Sequence, residues 1–429
     1  MRFDPADRGD KPAPSYYEAT RDVPLVTPRL DGDLAVDVAI IGGGITGCSA
    51  ALELAGTGLS VALLEARDIG WGASGRNGGQ VLPGLAVGQA KLTRMVGAED
   101  ARRLWHMSVE AVSLVEERVR RHAIPCDYQR GYLHAAVKAR HERELEEEVE
   151  ALAALGVSGA RVLRGAEMRE RIASERYRAV MTDPLAAHIH PLNYTLGLGR
   201  AAQAAGAKLF SRTPVTAIEE GPVIRLRTAS GTVSAGSLLL SGGAYLGRLW
   251  PQMAGYVMPV GTYVIATEKR ADIASLLPMN EAVADLNFVL DYFRRSADGR
   301  LLFGGGVSYS AVPPPRLAEK MLARARKVFP QLSGARAEFT WGGLVDITRH
   351  RAPHFGRLAP NILMAQGFSG HGVALAGLAG KVMAEAAAGQ AGRFDVFARI
   401  PQARFPGGRA LRVPALLLAT SYYRMRDLL

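Results

Sequence analysis

At 429 residues, 48% hydrophobic and 22% charged, the chain has the composition of a globular protein of two or three domains, not of a disordered or fibrous one. No apolar run reaches the ~18 residues that a membrane-spanning helix needs, and two cysteines, Cys48 and Cys126, give neither a disulfide framework nor metal-ligand spacing. The net charge of +11 is spread over scattered arginines without a basic block, which fits an anionic cofactor better than nucleic acid.

Residues 1–33 read as an irregular arm, broken by Pro5, Pro12, Pro14, Pro24 and Pro28. The arm is polar and lacks a secretory leader's apolar core, so the cytoplasm is the expected compartment. Val36 to Ile41 then forms a buried parallel strand. A glycine loop follows, with a helix over 49–55 and a second buried strand over 59–65, together a βαβ unit. Leu104, Met107, Val112, Val115 and Val119 predict a helix over 99–121, and 132–137 reads as a strand. Residues 141–155 form a charged amphipathic helix that buries Leu145, Val149, Leu152 and Leu155. From Tyr194 a helix runs to Ala205, followed by strands over 207–210 and 215–218. Residues 224–228 and 232–235 pair as a hairpin around Gly231, and a strand over 237–241 ends at Gly242-Gly243-Ala244. Residues 256–306 are strand-rich, 317–329 is an amphipathic helix, 361–365 a buried strand, and 372–388 a helix.

The spacing Gly42-x-Gly44-x-x-Gly47 falls between the first strand and its helix. The first glycine permits a tight turn, the second admits a pyrophosphate to the backbone, and the third lets helix and strand pack closely. Ile45 and Thr46 present N–H groups at the positive end of the helix. Glu65 closes the second strand at about the ~20-residue offset of an acid that holds ribose hydroxyls, which disfavours a 2′-phosphate. The loop alone does not separate FAD from NAD.

The next segment, Ala66-Arg67-Asp68-Ile69-Gly70-Trp71-Gly72-Ala73-Ser74-Gly75-Arg76-Asn77-Gly78-Gly79-Gln80, resembles the second flavin motif of the D-amino-acid oxidase, glycine oxidase and sarcosine oxidase superfamily. With Ser15-Tyr16-Tyr17, Trp341-Gly342-Gly343-Leu344, the turn Gly367 to Val373 and Phe405-Pro406-Gly407-Gly408, the chain is similar to the bacterial gamma-glutamylputrescine oxidoreductase branch from about residue 15 onward. The resemblance implies an α/β architecture. A Rossmann-like FAD-binding domain of glutathione-reductase type, from 34–90, 150–248 and 341–395, interleaves with a substrate domain of mixed or antiparallel sheet, from 91–149 and 249–340. Residues 396–429 form a tail. It also implies that Gly72, Ala73, Ser74, Arg76, Asn77, Gly78, Gly79 and Gln80 pass over the flavin, and that Val215, Gly242 and Gly243 close on the cofactor. The turn at Gly370, His371, Gly372 and Val373 is implied to aim a helix N-terminus at the flavin, with His371 beside it. Relatives that tether flavin use a late cysteine, and none follows Cys126, so the FAD is expected to be noncovalent.

Amino-acid oxidases of this family set an arginine after a Gly-Leu pair to clamp the substrate carboxylate. Here the segment reads Gly343-Leu344-Val345-Asp346, which favours an amine, unless Arg294, Arg349 or Arg351 reaches the site. Candidate pocket residues are Gln80, Tyr263, Tyr292, Phe293, Trp341 and His371. His188, His190, His350 and His354 lack a third ligand at sensible spacing, so no metal is expected. The expected reaction oxidises the C–N bond of a small amine by hydride transfer to flavin, with O2 as acceptor and H2O2 as product. Oxidation of a cyclic secondary or other amino acid, a tRNA-modifying oxidase, and a quinone-linked dehydrogenase docking through Tyr422 to Arg426 are the alternatives.

Overall fold

The computed structural model describes residues 15–22, 25–247, 249–287, 289–308 and 313–406. Most of the proline-rich arm, Gly407-Gly408 and the Tyr422 to Arg426 tail lie outside the described residues. The expected α/β organisation is present as two sheets.

The first sheet has eight strands. Its parallel core runs Ile362–Gln366, Thr232–Leu240, Leu34–Ile41, Val61–Leu64 and Lys208–Phe210, with Ile40 level with Leu63 and Leu239. These strands are apolar on both faces because both are covered. The helices Ile45–Ala55, Pro191–Ala204 and Val373–Ala387 share one core cluster with the faces of Ile40, Leu63 and Leu239. Helix packs on helix at backbone distance: a Cβ on Gly380 would stand 2.3 Å from the Thr46 carbonyl oxygen. The Gly231 hairpin forms as expected, Ile224–Arg227 pairing antiparallel with Thr232–Leu240.

The second sheet has nine strands, in the order Ala337–Thr348, Val257–Thr267, Leu301–Ser308, Tyr292–Arg295, Ala282–Asp285, Gln129–Ala136, Ala179–His188 and Gln80–Val81, with Arg161–Leu163 also on Ala179–His188. Its back face stacks Phe293 on Phe303 and closes with Phe329 under the helix Leu317–Val328. Sheet membership departs from the segments expected from sequence. Gln80–Val81, Arg161–Leu163, Ala179–His188 and Ala337–Thr348 all pair here, although 34–90, 150–248 and 341–395 were assigned to the cofactor domain. Ala179–His188 carries Pro184 at a register break, which masks its strand pattern. The helix expected over 99–121 is present, and a shorter helix from Gln89 precedes it, the two broken apart at Gly97, where φ is +82° and ψ +165°. His354 opens the strand His354–Ala359.

One buried cation ties the second sheet to the flavin-motif loop and the N-terminal turn. Arg294 donates from Nε to the Gly78 carbonyl at 2.8 Å and from Nη2 to the Ile189 carbonyl at 2.8 Å and the Tyr17 hydroxyl at 3.2 Å. It thereby joins the flavin-motif loop, the entry to a helix and the N-terminal turn Tyr16–Ala19. Replacing it with methionine leaves three buried acceptors unmatched, at roughly 1–3 kcal/mol apiece before relaxation. Arg294→Met is expected to lower stability by about 2–4 kcal/mol, read as a fall in the urea midpoint; a shift under a tenth of that would show that the clasp holds nothing.

Candidate functional site

A cleft of about 460 Å³ opens at the carboxyl ends of the parallel strands. That is where the loops of an open α/β sheet diverge and leave room for a ligand. Its near wall is Gly42, Gly44, Ile45 and Thr46. Gly42 has φ +110°, a conformation that a side chain opposes. A Cβ on Gly47 would lie 1.9 Å from the Gly42 carbonyl oxygen, so the helix can begin this close to the strand only with glycine there. The helix is capped by Gly44 without a side-chain bond, and the Ser74 hydroxyl accepts from Ile45 N at 2.9 Å. The cradle thus offers backbone N–H groups and a hydroxyl to an anion.

Glu65, Ala66 and Arg67 form one end. Glu65 Oε2 accepts from Gly43 N at 2.6 Å and Oε1 from Arg67 N at 2.8 Å, locking the carboxylate to the loop it serves. Burial raises its pKa, and those backbone bonds oppose the rise. Val215 lines the same end, between Pro214 and Thr216.

Gly72, Ala73, Ser74 and Asn77 form the middle. Asn77 holds the loop in shape: Nδ2 donates to the Ala73 and Ser74 carbonyls, and Oδ1 accepts from Gly79 N. Arg76, expected on the cofactor, does not line the cleft. Its Nε donates to the Trp71 carbonyl at 2.6 Å, and its guanidinium lies 4.6 Å over the Trp71 ring. Gly78 and Gly79 lie beyond the cleft, packed beneath Tyr292 and against Arg294.

Gly242, Gly243 and Tyr245 face Leu344, Val345 and Asp346 across the far part, with Phe368, Gly370, Gly372 and Val373 at its end. The Tyr245 hydroxyl accepts from Leu344 N at 3.0 Å, and its ring meets Trp71 edge-on at 5.5 Å. Asp346 Oδ2 accepts from Gly367 N at 2.6 Å, and its carbonyl from Ser369 N, which fixes the turn before the helix Val373–Ala387. Burial pushes the Asp346 carboxyl up to about 6. Trp71, Ser241, Tyr245 and Phe368 line the cleft without having been singled out for it. The indole Nε1 of Trp71 is buried and unpartnered among the described residues, the kind of orphan that a cofactor's polar chain satisfies.

The residues proposed to act on substrate separate into two groups, neither lining this cleft. Tyr263 and Trp341 are core: each is 2% exposed, Tyr263 packs against Gly342, and Trp341 Nε1 donates to the Arg76 carbonyl. Gln80, Tyr292 and His371 are only half-buried, at the inner face of the second sheet. Tyr292 leans over Gly78 and Gly304. His371 Nε2 lies 2.7 Å from the Pro83 carbonyl, and burial lowers its pKa. The ring is therefore neutral, Nε2–H donates to that carbonyl, and Nδ1 is left an acceptor. Phe293 points the other way, into the back core. Among the described residues no cluster of His, Cys, Asp or Glu could hold a metal.

The chain matches the family model described as DAO, FAD dependent oxidoreductase, over residues 37–386. It is 41% identical over 416 residues to the gamma-glutamylputrescine oxidoreductase of Escherichia coli (strain K12), covering 96% of this chain and 98% of that one. It is 38% identical to the probable oxidoreductase OrdL of Rhizobium meliloti (strain 1021), over 97% and 98% of the two chains. Among solved structures, glycine oxidase from Bacillus cereus superposes with a TM-score of 0.71 at 23% identity, over 86% of this chain and 99% of that one, which is a likeness of fold.

Two outcomes follow from the geometry. Gly47→Ala puts a methyl on a backbone oxygen that cannot retreat, so purified protein is expected to lose at least nine-tenths of its bound flavin (on the order of 1.4 kcal/mol or more); absorbance at constant protein reads this directly. Asp346 titrates near 3.8 when unfolded and about 6 when folded. The native state therefore binds the extra proton in that window, and stability falls as pH rises through it. Asp346→Asn is expected to remove roughly 1–3 kcal/mol of that pH dependence, so melting curves of the variant should vary less than wild type between mildly acidic and neutral buffer.

Proposed function

We propose, from the premise that this chain belongs to the DAO family of FAD-dependent oxidoreductases, that it oxidises the C–N bond of a small, gamma-glutamylputrescine-like amine to an imine, with O2 as electron acceptor and H2O2 as product. That the enzyme is an FAD-dependent oxidoreductase acting on C–N bonds is the family's property; the amine, the acceptor and the residue roles are the proposal.

The observation that carries it is the fate of the candidate carboxylate clamps. Val345 occupies the position after Gly343-Leu344 and is apolar. Arg294, the one buried alternative in the expected set, is consumed by the Gly78 and Ile189 carbonyls and the Tyr17 hydroxyl. Arg349 and Arg351 are exposed. An α-carboxylate brought here would meet no free guanidinium from that set, whereas an amine needs none.

The residues present fit FAD. Gly42, Gly44 and the start of the helix Ile45–Ala55 would hold the pyrophosphate, Glu65 the ribose, and the segment Gly72 to Asn77 the chain leading to the flavin. Bound FAD supplies the hydride acceptor. Around it the protein orders and dries the site. Tyr292 and Gln80 wall the inner face, and neutral His371 offers Nδ1 to a donor without adding charge. Noncovalent attachment is supported by the thiols. Cys48 is buried with Sγ 3.7 Å from the Gly43 carbonyl, outside the cleft, and burial pushes the buried Cys126 up to about 12, so neither is a ready nucleophile. Among the described residues no helix is long and apolar enough to cross a membrane.

Anaerobic mixing with a panel of amines and amino acids should bleach the flavin with amines, the rate rising roughly tenfold per pH unit below the amine's own pKa because only the neutral amine reacts. Acid denaturation should release the FAD. Bleaching by amino acids alone, or flavin that stays with precipitated protein, would overturn the corresponding part of the reading.

A further inference from the structure

The inner face of the second sheet continues well past Tyr292. Strand register places Tyr292 opposite Ala284, Ala284 opposite His134, and Tyr132 between Ala282 and Asp183. Directly paired residues project from the same side of a sheet, as do residues two apart on one strand. Tyr292, Ala284, Ala282, His134, Tyr132 and Asp183 therefore share one surface. That surface faces the cofactor side. Tyr292 packs on Gly78, the Tyr132 hydroxyl points at Gln80 Oε1 at 3.4 Å, and His371 feels the charges of both His134 and Asp183. From Tyr292 to Asp183 the path crosses three strand spacings, about 14 Å, past Ala284 and beside His134, whose side chain is 31% exposed.

Asp183 is the acid at the end of that path. Its side chain is 7% exposed, and Oδ1 accepts from Leu185 N at 3.0 Å. Oδ2 stands 3.6 Å from His134 Nε2, beyond hydrogen-bond reach, with no closer partner among the described residues. The other acids of the neighbouring strands are engaged. Asp285 opposes Ala135 on the far face and accepts from Asn287 and Asp291, and Asp291 is paired with Arg324. The His134 side chain beside it is 31% exposed.

We propose that Asp183, held by the Leu185 N–H and standing beside Tyr132 and His134, binds a second ammonium group of the substrate, so that the preferred substrates are amines bearing a distal cation. This rests on the amine reading above and sharpens it. At ~3.5 Å per three extended bonds, the path from Tyr292, less the ~3 Å of the contact to Asp183, corresponds to roughly nine bonds between the oxidised carbon and the distal nitrogen, with about twelve as the upper limit. Tyr132 turns its hydroxyl toward Gln80, and Ala284 stands between Tyr292 and His134 on that face.

The test is anaerobic flavin bleaching by diaminooctane and by aminooctane, comparing the concentrations that give half the maximal reduction rate. Wild type is expected to favour the diamine by about 10–100-fold, the worth of one charge-assisted hydrogen bond. In Asp183→Asn that preference should collapse to within about twofold. His134→Lys keeps the Asp183 contact to Leu185 and sets a resident ammonium beside the acid, so it should collapse the preference too, even if the first variant fails to fold. A wild type that treats the two amines alike, or variants that keep the preference, overturns the inference and leaves the amine reading standing. A wild type bleached by neither amine overturns both.

Discussion

The organisation of this protein depends on how closely the helix Ile45–Ala55 approaches the strand it follows. Gly47 rides on the Gly42 carbonyl, and Gly380 of a second helix rides on the Thr46 carbonyl. Those two contacts stack strand, helix and helix with no side chain between them. The first helix consequently starts directly beyond the strand end, with its N–H groups at the mouth of the cleft instead of inside the packing. Dispersion between such close surfaces is weak per atom and large in sum, so the glycine loop is a packing device before it is a phosphate site. Binding of an anion there uses dipoles that the fold has already oriented, with little reorganisation left to do.

The second sheet is held to the first by contacts from the flavin-motif loop. Gly78 and Gly79 let Tyr292 and Arg294 come close, Trp341 donates to the Arg76 carbonyl, and Arg76 donates to the Trp71 carbonyl. Glycines and an arginine that resemble ligand contacts in sequence act instead as the hinge plate between the layers. This arrangement couples the cofactor cleft to the substrate face mechanically. A displacement of the segment Ala73 to Gly79 must shift Tyr292, because an added atom at Gly78 would already lie 2.6 Å from that ring.

Much of the fold was legible, and the failures have physical causes. Parallel strands buried on both faces, such as Leu34–Ile41 and Ile362–Gln366, read directly as apolar runs before a glycine turn. Ala179–His188 did not, since Pro184 and the register break interrupt its alternation. The wall of the cleft was legible because backbone geometry and offset single out Gly42, Gly44 and Glu65, and all three line it. The role of Arg76 was not, because a guanidinium that stacks on Trp71 has the same one-letter pattern as one that holds a phosphate. Asp183 was not singled out either: a lone acid in an unrecognised strand has no local signature, and only pairing with Gln129–Ala136 brings it beside Tyr132 and His134.

The charge distribution also separates the two halves of the site. The cleft is lined chiefly with backbone N–H groups, hydroxyls and glycines, while its two acids, Glu65 and Asp346, are tied to loop N–H groups at 2.6 Å. Burial raises both, so each accepts a proton more readily than an exposed carboxyl and adds less negative charge near a dianionic ligand. On the substrate face the order reverses. The nearby histidine, His371, is held neutral by burial, and Arg294 spends its donors on carbonyls. On the amine reading, an electron-rich amine would approach without a fixed cation opposing it, and an anionic cofactor in the cleft would lie against a wall whose acids are restrained. The same chain thus presents one surface that tolerates negative charge and another that tolerates positive charge, separated by the thickness of the glycine-rich loop.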